Sequence, residues 1–368
     1  MQPTLFLCTS HGLGGLELNL VKLARWMGQS GRQVQFVAGL GEPQAAVARE
    51  QGLPVTEVTR RTRYMDLRAA RAVVAAARDA GAEHLVVSTT PDIDLAVWAR
   101  VLCGNRLKVT YLQQMPLARK RDPIHTWKYR NLHAWVAPLP YLADMTRERT
   151  HMPHARIHIV PLCIELARFT DNPMTREQAR AALELPEDGL WFGVIGRMDP
   201  QKGMHTAVEA FAQVAATVPE ARLLLLGEPT RGEGEAYADL VAAMIHDSPC
   251  ADRIFRRPFR SDVETAHRAL DVFLMASKAE PFGMVTVEAL ASGCAVIGTR
   301  SGGTPDLLGH GDCGVLVAPE DPRALCDAIL RRAQDGGLRR KLAQAGPAAA
   351  SRYAHTVQVE GVGRILDA

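Results

Sequence analysis

No stretch of this chain approaches the roughly 18 consecutive apolar residues of a membrane-spanning helix, so no span is expected. The N-terminus, MQPTLFLCTSHG, lacks a basic leading region, and its apolar run is too short for a secretory signal. Paired cysteine spacings are missing as well. The seven cysteines, at 8, 103, 163, 250, 294, 313 and 326, are odd in number, and no two are spaced CxxC. This argues against a disulfide framework or a zinc site and for reduced, buried thiols. The formal net charge of +3 is too small to imply nucleic-acid binding by itself. Aromatics make up only 5% of residues, and no low-complexity tract or repeat of solenoid period is found. The expectation is a cytoplasmic protein that can rest on the inner membrane surface.

What is present is ordinary globular chemistry at a length that exceeds one core. At roughly 150 residues per domain, 368 residues suggest two domains, and 47% hydrophobic with 23% charged residues suits a soluble fold. Apolar runs alternate with helical spacing. Strands are predicted at Thr4–Thr9, Gln33–Ala38, His84–Ser88 and Lys108–Leu112, with helices at Glu17–Gln29, Asp66–Ala80 and Asp94–Leu102. After short strands at Trp135–Ala137 and Ile157–Val160 comes a polar stretch, Asp171–Asp188, with prolines at both ends and a helix-like TREQARAALEL inside. Alternation then restarts. Strands are predicted at Trp191–Ile195, Arg222–Leu226, Ile254–Phe255, Asp271–Ala276, Ala295–Thr299 and Gly314–Val317. Helices are predicted at Met204–Thr217, Glu235–His246, Ser261–Leu270, Val285–Ser292 and Pro322–Gln334. Such alternation implies parallel sheets covered on both faces. Two doubly wound halves would place a ligand cleft at the carboxyl ends of their strands.

The most informative segment is Ala279–Leu290, directly after the strand DVFLMAS. Pro281 and Gly283 make a tight turn, and a helix starting near Met284 offers unpaired N–H groups and a positive dipole end to a phosphate. Glu280 lies on the turn and Glu288 about one turn into the helix; their carboxylates can accept hydrogen bonds from sugar and ribose hydroxyls. The plainer alternative makes Glu280 a helix N-terminal charge and Glu288 a solvated face residue. Upstream, Gly196-Arg197-Met198-Asp199-Pro200-Gln201-Lys202-Gly203 follows the strand WFGVI. Arg197 as a planar fork and Lys202 as a point charge suit a departing nucleoside diphosphate. Exposed surface cations are the alternative. The glycine-rich turn His11–Glu17, with Gly14 and Gly15, follows the first strand and is weak taken alone.

Together these pieces resemble the retaining glycosyltransferase family 4, of GT-B fold. The resemblance is carried by Gly14-Gly15-Leu16-Glu17, Gly196-Arg197, Lys202-Gly203 and Glu280-Pro281-Phe282-Gly283 through Glu288, with Ser292-Gly293, Gly302-Gly303, Gly314–Pro319 and Tyr353–Thr356. It spans nearly the whole chain and is densest from 190 to 325. It implies an α/β protein of two Rossmann-like domains facing a central cleft. Residues 1–168, completed by a helix at 354–368, would form the acceptor side, and 169–353 the nucleotide-sugar side. It further implies a hexosyltransferase-type enzyme of polysaccharide or glycolipid synthesis, using a UDP-sugar or GDP-sugar without a metal cofactor and retaining the anomeric configuration. Its acceptor would be a glycan or a lipid-linked glycan. Arg197 and Lys202 are expected on the diphosphate and Glu280 on the transferred sugar, these three being the catalytic candidates. Phe282, Gly283, Met284 and Val285 would lie nearby, Glu288 on ribose, and Gly14 and Gly15 on the same phosphates. Nucleotide-sugar epimerases share the architecture and remain an alternative, as does a non-catalytic sugar-nucleotide-binding protein.

Several residues depart from the pattern or compete with it. Gln113, Gln114 and Met115 stand where many relatives carry a histidine; Asp306 replaces a commoner Glu, and Cys294 a small residue or Pro. Asp92-Ile93-Asp94 spells the metal triplet of the other major glycosyltransferase fold, but Asp92 at a strand-to-helix junction is better read as a cap. The basic segments are Arg60, Arg61, Arg63 and Arg68, then Arg119, Lys120, Arg121, Lys128 and Arg130, the second set with Trp127 and Tyr129. They suit an anionic membrane or a phosphorylated acceptor as well as a solvated face. His151, His154 and His158 close no metal set.

Overall fold

The computed structural model describes residues 2–229 and 234–368. By internal contacts the chain divides into two units, one of residues 1–163 and 355–368, the other of 164–354.

The first unit is built on seven parallel strands: β1 (Thr4–Cys8), β2 (Val34–Gly39), β3 (Val55–Val58), β4 (His84–Val87), β5 (Lys108–Leu112), β6 (Ala134–Ala137) and β7 (Ile157–Ile159). Their order is β3-β2-β1-β4-β5-β6-β7, so the winding reverses between β1 and β4. The central strands read as continuous apolar runs because helices cover both faces: every residue of β1 and β4 is buried. One face packs the Ala-rich helix Leu67–Asp79 around Val73 and Leu85. The other packs the helix Gly15–Gln29 and the final helix His355–Leu366 around Phe6, Phe36 and Val362.

The second unit repeats the plan with β8 (Leu190–Ile195), β9 (Ala221–Leu226), β10 (Ile254–Arg257), β11 (Val272–Met275), β12 (Ala295–Thr299) and β13 (Val315–Val317). The order is β10-β9-β8-β11-β12-β13, reversing between β8 and β11. Its core gathers Phe192, Phe211, Leu223, Leu225 and Ile297.

Sequence periodicity places the central strands and most helices within a few residues. Several elements were not anticipated: helices Pro43–Glu50, Pro123–Arg130, Pro140–Arg149 and Gly336–Ala350, and the edge strand β3. Three of these helices begin on proline. Proline reads as a breaker but is favourable at the first helical position, where its missing N–H would have no partner. The same effect corrects the reading of Asp92. The helix runs from Thr90 to Leu102, with Pro91 inside its first turn, and the capping residue is Thr89, not Asp92. The seven cysteines are all free thiols, six of them buried. Burial pushes the thiols of Cys8, Cys163 and Cys294 up to about 12. No described helix is long and apolar enough to cross a membrane.

Candidate active site

In doubly wound sheets, loops leaving the carboxyl ends of the strands diverge where the winding reverses, and ligands bind there. In the second unit that point lies between β8 and β11. The loop after β8 carries Gly196 to Gly203, and the loop after β11 carries Ala276 to Gly283. The topology therefore brings Lys202 and Glu280 together although 78 positions separate them: Lys202 Nζ lies 2.6 Å from Glu280 Oε2. Both are partly buried, so the ion pair is more than a screened surface contact. Ser277 Oγ donates to the same carboxylate oxygen at 3.4 Å.

Backbone contacts lock the two loops into register. The Lys278 amide donates to the Gln201 carbonyl at 2.9 Å. Gly203 has φ +67, and a Cβ there would lie 2.1 Å from the Ala276 carbonyl oxygen. A third loop joins from β12: the Gly303 amide donates to the Glu280 carbonyl at 2.8 Å. Gly302 has φ +58, and its Cβ would lie 2.1 Å from that same Glu280 oxygen. Both glycines are required on two counts, left-handed backbone and contact distance.

The helix Met284–Ala291 begins at Gly283, which caps it with φ 100. The Thr286 amide bonds to the Gly283 carbonyl, and the Met284 and Val285 amides belong to the first turn, which has no intrahelical acceptors. Phe282 is buried edge-on against Tyr353, centroids 5.9 Å apart, and anchors the turn from below. Arg197 is about two-thirds exposed, with Nη2 3.3 Å from Asp199 Oδ2. It shares the loop of Lys202.

Glu288 lies in the body of this helix, and its Oε2 is 3.4 Å from Nε2 of His267, a fully buried histidine on the helix Val263–Ala269. Phe169 and Phe273 stand edge-on to the imidazole ring. His267 escapes motif reasoning, being one histidine in an otherwise unremarked amphipathic helix. Cys294 Sγ donates to the His267 carbonyl at 3.1 Å, so this cysteine serves packing. Asp306 Oδ1 lies 3.4 Å from His310 Nε2.

Gly14 and Gly15 belong to the first unit. Gly14 precedes the helix Gly15–Gln29, and its amide donates to Glu17 Oε2 at 2.9 Å. Ser10 Oγ donates to Glu17 Oε1 at 2.8 Å. Glu17 thus braces the glycine turn, while a Cβ on Gly15 would meet nothing within 4 Å. The turn borders a cavity of about 510 Å³ at the carboxyl ends of β1, β4 and β5, lined among others by Ser10, His11, Arg61, Arg63, Thr90 and Met115.

Other residues prove to be internal braces. Gln113 is buried, with Oε1 accepting from Trp135 Nε1 at 2.9 Å and Thr146 Oγ1 at 3.0 Å. Gln114 bonds Asn19 and the Leu16 carbonyl. The two amides tie β5 to its neighbours. Asp92 accepts from Thr9 and Thr89 and lies 3.0 Å from Arg60 Nη1. Burial pushes its carboxyl up, against the pull of those partners. Asp94 pairs with Lys128 at 2.5 Å. The two carboxylates of the DxD triplet therefore serve different cations. Tyr129 is buried against Trp135 and leaves the basic surface on which it was expected.

With this geometry in place, residues 175–349 match the family described as Glycosyl transferases group 1. The matched residues make up most of the second unit. Among curated relatives, the D-inositol 3-phosphate glycosyltransferase of Acidothermus cellulolyticus is 35% identical over 213 residues, 56% of this chain and 47% of that protein. The lipopolysaccharide core biosynthesis glycosyltransferase LpsE of Rhizobium meliloti is 28% identical over 265 residues, 72% of each chain. The chain spans about half the length of the first curated relatives it matches. In the solved structures, Anabaena Alr3699/HepE in complex with UDP and glucose aligns over 100% of both chains with TM-score 0.85 at 20% identity. A glycosyltransferase from Rickettsia africae aligns over 100% of this chain and 98% of its own, with TM-score 0.89 at 16% identity. The two α/β units thus have the GT-B fold, and the residues matched by the family include Arg197, Lys202, Glu280 and Glu288.

Proposed function

We propose that the protein transfers a sugar from a nucleoside-diphosphate sugar to a glycan or lipid-linked acceptor, with retention of anomeric configuration and without a metal cofactor. The observation that carries this reading is the Lys202–Glu280 pair at a winding reversal, beside a helix start with open amides. Lys202 and Arg197 supply positive charge for the diphosphate, and the Met284 and Val285 amides add the helix dipole. Glu280 offers hydroxyl-accepting oxygens beside that charge. Glu288 takes the ribose diol. Negative charge develops on the leaving diphosphate as the sugar bond breaks, and fixed cations there stabilise the transition state more than the ground state. Glu280, held against a cation, positions the sugar and is not assigned as a nucleophile. The relatives' printed roles in inositol phosphate and lipopolysaccharide core glycosylation support a nucleotide-sugar transferase, and HepE's complex with UDP and glucose supports a uridine donor.

The same reading places the acceptor at a lipid surface. Tyr64, Met65, Ile124 and Trp127 are exposed together around an apolar groove of about 630 Å³. Arg61, Arg63, Arg119 and Arg121 are exposed alongside them and pair with no carboxylate among the described residues. Apolar tips within a cationic rim complement an anionic bilayer.

The decisive assay incubates the protein with a panel of UDP- and GDP-sugars in EDTA and determines the product anomer by NMR. Transfer with retained configuration in EDTA is expected. Inversion, complete loss in EDTA with rescue by Mg²⁺, or donor isomerisation without acceptor would each sink the reading, the last in favour of an epimerase.

A further inference from the structure

The amino ends of β5, β6 and β7 form the opposite edge of the first unit's sheet. A cavity of about 530 Å³ opens there. Its walls carry four permanent cations, Arg100, Arg106, Lys108 and Arg156, together with His133, His158 and Ala368, and no Asp or Glu side chain among the described residues. The clustering follows from topology. Lys108 opens β5, His133 immediately precedes β6, Arg156 closes the short turn before β7, and parallel register sets these strand starts side by side. Arg100 lies in the last turn of the helix that runs back towards this edge, and Arg106 follows in the next loop.

The cations are held by neutral groups. Arg156 Nη1 donates to the carbonyls of Arg130 at 3.1 Å and Leu132 at 3.0 Å, and Arg100 Nη1 to that of Leu107. Arg100 Nε is buried with no hydrogen-bond partner. Among the described residues, neither Arg106 nor Lys108 forms a side-chain ion pair with a carboxylate. The carboxylate of Asp367, near the end of the chain, goes to Arg32 at 2.7 Å. Like charges at a half-buried edge repel at low effective dielectric, and burial, then Lys108 and the neighbouring arginines, pushes His133 down. A multivalent anion relieves this repulsion. Planar arginine forks and a lysine point charge are the groups that recognise phosphate.

We propose that this cavity binds a multiply charged phosphate group, a diphosphate or a phosphate ester, at a site carried wholly by the first unit and distinct from Lys202 and Glu280. The proposal does not rest on the donor assignment. It is tested by calorimetric titration of the full chain with inorganic pyrophosphate and, separately, with UDP, at low ionic strength. Arg197→Ala/Lys202→Ala is expected to retain pyrophosphate binding, and Arg106→Ala/Lys108→Ala to weaken it at least about tenfold, one charged hydrogen bond being enough for that. UDP heat that falls with the Arg106 and Lys108 changes identifies a phosphate ester as ligand; pyrophosphate heat alone identifies the free anion. A purely structural role is separated by the melting temperature without ligand. Relief of repulsion leaves Arg106→Ala/Lys108→Ala at or above wild type without ligand, and pyrophosphate raises the wild-type value by more than it raises the variant's. Should the double variant fail to fold, the single exposed change Arg106→Glu gives the same readout. Unchanged pyrophosphate affinity in either variant, or its complete loss in Arg197→Ala/Lys202→Ala, would overturn the proposal.

Discussion

Lys202 and Glu280 hold each other at 2.6 Å, so each side chain is oriented by the other before any donor arrives. Replacing Glu280 by Gln keeps the shape and removes the charge. Transfer is expected to fall about 10²–10³-fold in kcat, the scale of losing one transition-state group, with nucleotide affinity changed only a few-fold. Steady-state kinetics and calorimetry on the same preparation separate the two effects; wild-type kcat would refute the role given to Glu280. The two residues were legible because each directly follows a buried strand, and strand ends at a reversal converge. His267 was not legible. It is buried between two phenylalanine rings and meets Glu288 at 3.4 Å only through packing of two helices, and no local spacing encodes that. Gln113 and Gln114 stand out in the sequence as a departure from the family pattern, but only their hydrogen bonds to Trp135, Thr146 and Asn19 reveal bracing roles.

Among the elements, the loops after β8, β11 and β12 behave as one body because two glycines allow carbonyl oxygens to approach. Gly302→Ala forces a Cβ to 2.1 Å from the Glu280 carbonyl at φ +58. The strain and the displaced loop are expected to cost about 1–3 kcal/mol, read as a lower denaturation midpoint, and to impair donor binding. Gly15→Ala, whose Cβ meets nothing within 4 Å, is expected to be near neutral in stability. Equal stability of the two variants would contradict this reading. At the helix Pro123–Arg130 the expected partner is lipid. Ile124→Glu/Trp127→Glu should abolish co-sedimentation with vesicles of phosphatidylcholine and phosphatidylglycerol, and wild type should ignore pure phosphatidylcholine. Binding that survives the double change would contradict insertion. Elements were hardest to read where proline opened them, as at Pro43, Pro123 and Pro140, or where glycines and an internal Pro347 disguised a helix, as in Gly336–Ala350.

For the molecule as a whole, two doubly wound sheets were legible from alternation alone, because buried parallel strands leave long apolar runs between helical periods. The cationic edge was not, since Arg100, Lys108, His133 and Arg156 are scattered over more than fifty positions and meet only through register. His84, at the start of β4, is pushed down to about 4 by burial first and then by Lys108, Arg32 and His133. The unfolded chain, with an ordinary histidine near 6.5, then binds more protons than the folded one between those values. The contribution of His84 to stability is therefore full above about pH 6.5 and is lost as pH falls towards 4. Urea titrations between pH 4 and 7 are expected to show this slope, and His84→Gln to flatten it; an unchanged slope in the variant would assign it elsewhere. The central claim concerns the donor, and its most direct measurement is calorimetric titration of wild type and Lys202→Ala with UDP-glucose, GDP-mannose and their nucleoside diphosphates. At least one nucleoside diphosphate and its sugar should bind wild type, with affinity reduced about tenfold or more by Lys202→Ala. Absence of binding by every nucleotide tested, or equal binding by the two proteins, would contradict it.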